Sequence, residues 1–357
     1  MNIKALLAGS VAAFASVSAS HAADAIVVAE PEPMEYVRVC DAFGTGFFYI
    51  PGTETCLKVG GYTRFEIGAG DDPYTGEDIG WSTFARGSLM FDAKNDTEIG
   101  TVRSVIDLRF QSNGSNYVNG AYIEAAGFRA GYADSRFDTW LNSAGNIIND
   151  DVIDYTGDRT DQLSYVYDAG NGFSALIGLE RGAGTYEYDL GGVPPVIATV
   201  SYMDDDLPHV IGGAKYEQDW GGIAAVGGYD THAESFAGKI RVDAVFNDVF
   251  SAWVMGGYQS DWDNHKGPGG NRLRNYFGAW NGDWAAWGGF AAKVTEKATI
   301  NAQAAYEEDG TFASALNVVY MVTDGLMLMP ELNYTDFGGE RGDGDAFGAT
   351  IRLQRSF

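Results

Sequence analysis

The sequence predicts an all-β fold, a transmembrane antiparallel β-barrel of about sixteen strands. Three observations predict it. Apolar and polar side chains alternate down most of the chain; short turns and long polar loops take turns between the alternating segments; and no stretch beyond residue 22 is apolar for long enough to form a membrane helix. Composition agrees, since 48 Gly, 20 Tyr, 20 Phe and 8 Trp against 9 Pro suit many strands, tight turns and aromatic bands. A tandem of soluble β domains has a similar composition, so composition alone leaves both open. The formal charge of −26 excludes nucleic acid or anionic lipid as a main partner.

The elements follow in chain order. Lys4, the apolar run 5–17 and the small residues ending in Ser20-His21-Ala22 predict a signal peptide over residues 1–22. Ala29-Glu30-Pro31-Glu32-Pro33 cannot continue a helix and reads as an extended linker. Cys40 and Cys56 are the only cysteines, and in a secreted chain they predict one disulfide. Residues 23–56 then form an N-terminal periplasmic segment carrying that disulfide, and residues 57–357 form the barrel.

Strands are predicted at 57–69, 81–94, 99–112, 118–126, 128–134, 162–168, 173–181, 208–217, 222–230, 235–246, 250–260, 282–294, 298–307, 311–321, 326–337 and 346–357. In the first, Leu57, Val59, Phe65 and Ile67 share one face and Lys58, Tyr62, Arg64 and Glu66 the other. The third opposes Val102, Ile106, Leu108 and Phe110 to Arg103, Asp107, Arg109 and Gln111. Tight turns are expected at 95–97, 169–172, 219–221, 247–249 and 323–325, and long loops at 71–80, 136–161, 182–207, 261–274 and 338–345. The loop 182–207 has room for an extra strand near 196–202. An even strand count closes the sheet with no free edge. The last strand places Phe347, Ala349, Ile351, Leu353 and the final Phe357 on one face, and an alternating strand ending on an aromatic resembles the C-terminal assembly signal of bacterial outer-membrane barrels.

Tyr36-Val37-Arg38-Val39-Cys40-Asp41, the run from Phe48 through Pro51-Gly52-Thr53-Glu54-Thr55 to Cys56-Leu57, Asp283-Trp284-Ala285-Ala286-Trp287-Gly288-Gly289 and the ending Arg352-Leu353-Gln354-Arg355-Ser356-Phe357 resemble the general porins of alphaproteobacteria, the Brucella and Rhizobiales type. The resemblance covers nearly the whole chain after residue 22. It implies a sixteen-stranded homotrimer in the bacterial outer membrane, one water-filled pore per subunit, passive diffusion of small hydrophilic solutes and ions, and a third loop folded inward as a constriction. A barrel of this kind contacts outer-membrane lipid, acidic external loops let divalent cations bridge them to lipopolysaccharide, and the final Phe357 resembles the residue that recruits the barrel assembly machinery in outer-membrane barrels.

With apolar side chains turned to lipid, Arg64, Arg86, Arg103, Arg109, Arg129, Lys239, Arg241 and Arg352 point into the lumen as a basic wall. Asp134, Asp138, Asp150, Asp151, Asp154, Asp158 and Asp161 make the third loop acidic. The expectation is that the two clusters face each other across the narrowest section and set up a transverse field, and that the overall acidity gives a mild preference for cations. Asp204-Asp205-Asp206 and Asp343-Gly344-Asp345 lack a calcium-loop pattern. His209, His232 and His265 have no hydrolase partners, Ser235 near His232 included, so no enzyme activity, cofactor or metal is expected. Two other readings stand beside the general channel: a substrate-selective channel, and an adhesion or binding barrel with an occluded pore.

Overall fold

The computed structural model describes residues 37–357 apart from 143, 144, 156, 192, 193 and 205. The expected signal peptide and linker, and Asp205, lie outside the described residues. From Val39 onward the chain is one compact unit. Its sixteen wall strands are β1 (Cys56–Asp71), β2 (Asp78–Thr97), β3 (Gly100–Gln111), β4 (Asn116–Ala125), β5 (Phe128–Asp134), β6 (Arg159–Asp168), β7 (Phe173–Glu180), β8 (His209–Gln218), β9 (Gly221–Asp230), β10 (Ser235–Val245), β11 (Phe250–Gln259), β12 (Trp284–Lys293), β13 (Ala298–Glu307), β14 (Phe312–Thr323), β15 (Leu326–Phe337) and β16 (Gly344–Ser356).

Each strand pairs antiparallel with the next, and β16 returns to β1 in a register that sets Ile351 opposite Ile67. Phe357 and Gly61 exchange backbone hydrogen bonds at 3.1 and 3.2 Å, so the seam stays paired to the last residue. Closure satisfies the backbone donors and acceptors that lipid cannot. The alternation has the predicted sense: Phe65, Ile106, Ile240, Leu316 and Ile351 lie exposed on the outside, while Asn301, Gln303, Asn317 and Glu331 on the same walls are buried inside.

The turn expected at 95–97 is displaced. Asn95, Asp96 and Thr97 still pair with Val102, Thr101 and Gly100, and the chain reverses at Glu98 and Ile99. Polar residues at the membrane's edge keep their ladder because water satisfies the side chains, so polarity alone does not end a strand there. The long loop between β7 and β8 holds a two-stranded hairpin, Thr185–Asp189 with Ile197–Ser201, outside the ring. The extra strand suspected near 196–202 is thus part of a loop and leaves the wall count unchanged.

Cys40 and Cys56 form the disulfide, with Cα atoms 5.9 Å apart. Both are buried with Phe47, whose ring takes the Lys58 and Lys94 ammonium groups at 5.9 and 4.7 Å. Because Cys56 is the first residue of β1, the bridge ties the preceding segment to the start of the wall.

Candidate functional site

Two loops occupy one side of the lumen. The third loop, residues 135–158, begins where Ser135 caps the one-turn helix α1 (Arg136–Thr139), accepting from Phe137 N at 3.0 Å. Glu180 of β7, almost wholly buried, accepts from the Ser135 hydroxyl at 2.7 Å and from Arg136 N at 2.6 Å. Further on, the loop backbone is held by one wall strand after another. Ile148 N and Asn149 N donate to Glu331 of β15 at 2.6 and 2.9 Å; Asn317 of β14 donates to Asn146 O. Gln303 of β13 donates to Asp150 O at 2.7 Å, Trp287 of β12 to Ile153 O at 2.9 Å, and Lys239 of β10 to Tyr155 O. These side chains sit near the middle of their strands. A buried loop has no ladder to satisfy its carbonyl and amide groups, so inward polar side chains at mid-height take that role.

The sixth loop, residues 260–283, folds in beside it. Tyr276, Phe277 and Trp280 are buried in one cluster with Phe137, Trp140, Val152, Ile153 and Tyr155 of the third loop. Inward glycines make room for the rings. A Cβ on Gly213 would lie 2.8 Å from Trp140 Cδ1, on Gly228 2.6 Å from Phe277, and on Gly257 2.8 Å from Trp280. Asp230 accepts from Tyr276 N at 2.7 Å, and the Tyr276 hydroxyl donates to Asp158 O at 2.7 Å. Sequence reasoning missed this second inward loop, placing 261–274 outside and starting the next strand at 282. The signal was the aromatic group Tyr276, Phe277 and Trp280 set among Asn and Gly in an otherwise polar loop.

The other arc, β16 and β1 to β5, carries a ladder of guanidiniums. Arg64 and Arg86 are direct cross-strand partners, and Arg64 Nε donates to Gln354 at 2.8 Å. Arg352 pairs with Glu66 at 2.6 Å, Arg103 with Asp92 and Glu124 at 2.9 Å each, Arg129 with Glu124 at 2.6 Å and Arg109 with Asp107 at 3.8 Å. The predicted inward direction of these six arginines is what the strand phase gives. Sequence reasoning left the interleaved wall carboxylates Glu66, Asp92, Asp107 and Glu124 out of the site, though they are the arginines' direct partners.

Four predicted site residues stand elsewhere than the opposed-cluster picture required. Lys239 and Arg241 point inward but are buried beneath the third loop: Lys239 lies 4.3 Å from the Phe137 ring centre, and Arg241 pairs with Asp243 at 2.7 Å over the Trp253 ring. Asp161 alternates out of phase with the buried Thr160, Gln162 and Ser164, so it joins the outward row of Leu163 and meets Arg181 at 3.6 Å. Asp134 is the last residue of β5, held by Arg159 at 2.9 Å. The expected loop 136–161 overlaps the first three residues of β6, which puts Asp161 in the loop, and its extension to Asp134 takes in the last residue of β5.

The remaining loop carboxylates are spread along the third loop. Asp151 accepts from the Tyr74 hydroxyl at 2.5 Å and Asp150 from the Tyr155 hydroxyl at 2.5 Å. Burial pushes the Asp138 carboxyl up to about 7 against the pull of Lys239, and pushes Asp150 up to about 6 against the Tyr155 hydrogen bond. Burial also raises Asp158, and lowers the Arg136 guanidinium to about 10 with help from Arg129. The resulting lumen has an apolar, loop-packed side at β8 to β14 and a charged side at β16 and β1 to β5, where the β1–β2 loop meets the third loop through Tyr74.

The model of the porin subfamily matches residues 24–353. Porin Omp2a of Brucella canis is 43% identical over the full length of both chains, and Porin Omp2b of the same species 44%. Among solved structures, the outer membrane channel DcaP of Acinetobacter baumannii superposes with a TM-score of 0.65 at 15% identity, covering 87% of this chain and 99% of its own. A porin of Rh. blastica, solved as a multiple mutant, superposes at 0.59 with 12% identity over 84% of this chain and 100% of its own. These two likenesses concern the fold alone.

Proposed function

The chain belongs to the porin subfamily, and from that membership we propose how its lumen handles charge. It is a multi-pass protein of the bacterial outer membrane, forming a water-filled channel for passive diffusion of small hydrophilic solutes. Within that channel the third loop acts as the constriction. Its carboxylates Asp138, Asp150, Asp151 and Asp154 stand on one side, and Arg64, Arg86, Arg103, Arg109, Arg129 and Arg352 on the other. The observation that carries this reading is the segregation around the ring: the loop backbone is tied to β7, β10 and β12 to β15, whereas the six arginines project from β16 and β1 to β5. Low-dielectric walls strengthen a field between two such arcs, so water and dipolar solutes are oriented as they pass.

Lys239 and Arg241 serve the loop's anchorage, and Asp161 serves the outer rim. Residues 23–56 act as the periplasmic segment, Phe357 as the assembly signal and the homotrimer as the working unit; these rest on porin membership. Acidic outer loops suit divalent cations that bridge to lipopolysaccharide. The excess of fixed carboxylates gives a mild cation preference.

The test is a planar-bilayer measurement under a KCl gradient. Charge reversal of the arginine arc, Arg103→Glu with Arg109→Glu, is expected to shift the reversal potential further toward cation selectivity and to change conductance. An unchanged reversal potential rejects the transverse arrangement. Absence of any conductance rejects an open channel and favours an occluded binding barrel.

A further inference from the structure

Between the third loop, Tyr202 of the loop joining β7 to β8, and the sixth loop lies a recess of about 170 Å³. Its walls carry opposite charges. Asp154 and Asp158 come from the third loop, and Asp261, Arg272 and Arg274 from the sixth, with the Trp262 and Trp280 rings alongside. Arg272 is committed: its two terminal nitrogens meet Glu340 at 2.5 and 2.7 Å, and its guanidinium lies 3.2 Å from the centre of the Trp262 ring. Arg159, next to Asp158 in sequence, is held by Asp134. Among the described residues neither Asp158 nor Arg274 closes an ion pair, although Arg274 lies near enough to Glu340, and Arg159 to Asp158, to favour ionisation of those carboxyls.

Asp158 and Arg274 line one recess without closing on each other, and both side chains are solvent-exposed, so each stays open to a ligand that carries the opposite charge. A lone cation satisfies the carboxylates and is repelled by the guanidiniums; a lone anion does the reverse. A small molecule carrying both charges satisfies both sides at once, with the Trp262 side chain beside it. We propose that this recess binds small zwitterions of the free α-amino acid type, with the ammonium at Asp158 and Asp154 and the carboxylate at Arg274. The inference rests on the channel reading, since it makes the recess a site at the loop-side mouth where solutes pause before the constriction.

The experiment uses the full-length protein in planar bilayers in KCl, with L-alanine added to one side at a time and glycerol as an uncharged molecule of similar size. Alanine is expected to lower conductance saturably, with glycerol showing no saturation at equal concentration. Arg274→Gln and Asp158→Asn should each weaken the alanine effect at least about tenfold, the scale of losing one charge-assisted hydrogen bond, whereas Arg274→Lys should hold it within a few-fold. Equal action of alanine and glycerol, or unchanged alanine affinity in both neutral variants, overturns the proposal. If KCl conductance itself is absent, the channel reading fails separately. Titration of the detergent-solubilised protein with alanine, read by tryptophan fluorescence, then decides for or against the recess alone.

Discussion

At the scale of single residues, Glu331 shows how a wall strand positions the constriction. Its two oxygens accept from Ile148 N, Asn149 N, the Asn149 amide and the Asn317 amide at 2.6 to 3.0 Å, and the side chain is almost fully buried. A carboxylate can only accept, which matches four donors; a glutamine in its place would turn an NH₂ toward donors. Glu331→Gln is therefore expected to weaken loop anchorage by about 1–3 kcal/mol, the cost of buried donors left without acceptors. Single-channel records should show larger, noisier conductance, and records identical to the parent would remove Glu331 from the anchorage. The inward direction of Glu331 was legible in the sequence, because Leu332 beside it is an outward residue. Its role was not, because the loop groups it anchors lie more than 180 positions away in a segment with no periodicity.

At the scale of elements, the third and sixth loops behave as one inner layer sealed by aromatic rings against glycine sockets. Gly228→Val removes the space that Phe277 fills, and overpacking of this kind costs about 1–3 kcal/mol. The expected result is displacement of the sixth loop, read as faster proteolysis within 260–283 and a larger conductance; protection equal to the parent would argue against the socket. The same layer carries a pH response. Asp138 and Asp150 titrate near 7 and 6 in place, well above the ordinary aspartate value. Between about pH 4 and 7 the folded loop therefore binds more protons than the unfolded chain, so its stabilising protonation is present at low pH and lost as pH rises through 6 and 7. Lowering pH from 8 to 5 should discharge both groups and reduce cation selectivity, measured as a smaller reversal potential in a KCl gradient. A pH-independent potential over that window would exclude these two carboxylates from the ion path. Period-two patterning revealed the walls with errors of a few residues. It said nothing of this layer, because a glycine fits either face of a strand and an inward loop has no repeat to count.

At the scale of the whole molecule, the closed ring was the most legible feature: sixteen predicted segments correspond one to one with sixteen paired strands. Alternation and closure are both imposed by the bilayer, which leaves no tolerated alternative to apolar-out side chains and a seam without edges. The disulfide was equally legible, since two cysteines allow one pairing. What it does for the molecule follows from its place. Cys40, Phe47 and Cys56 form their own small cluster, separate from the aromatic layer of the third and sixth loops, and the bridge lies at the end of β1 remote from Asp71 and Tyr74. The cluster stands on the inward face, where Phe47 meets Lys58 and Lys94, but away from the third and sixth loops, so its main contribution is to the ring's stability rather than to the constriction. Closing a loop of this length restricts the unfolded chain by about 3 kcal/mol in the chain-entropy model. The paired variant Cys40→Ser with Cys56→Ser is accordingly expected to unfold at lower temperature or denaturant in detergent, while its single-channel conductance and reversal potential stay at parental values. A conductance change without loss of stability would reverse the argument and place the N-terminal segment in the solute path.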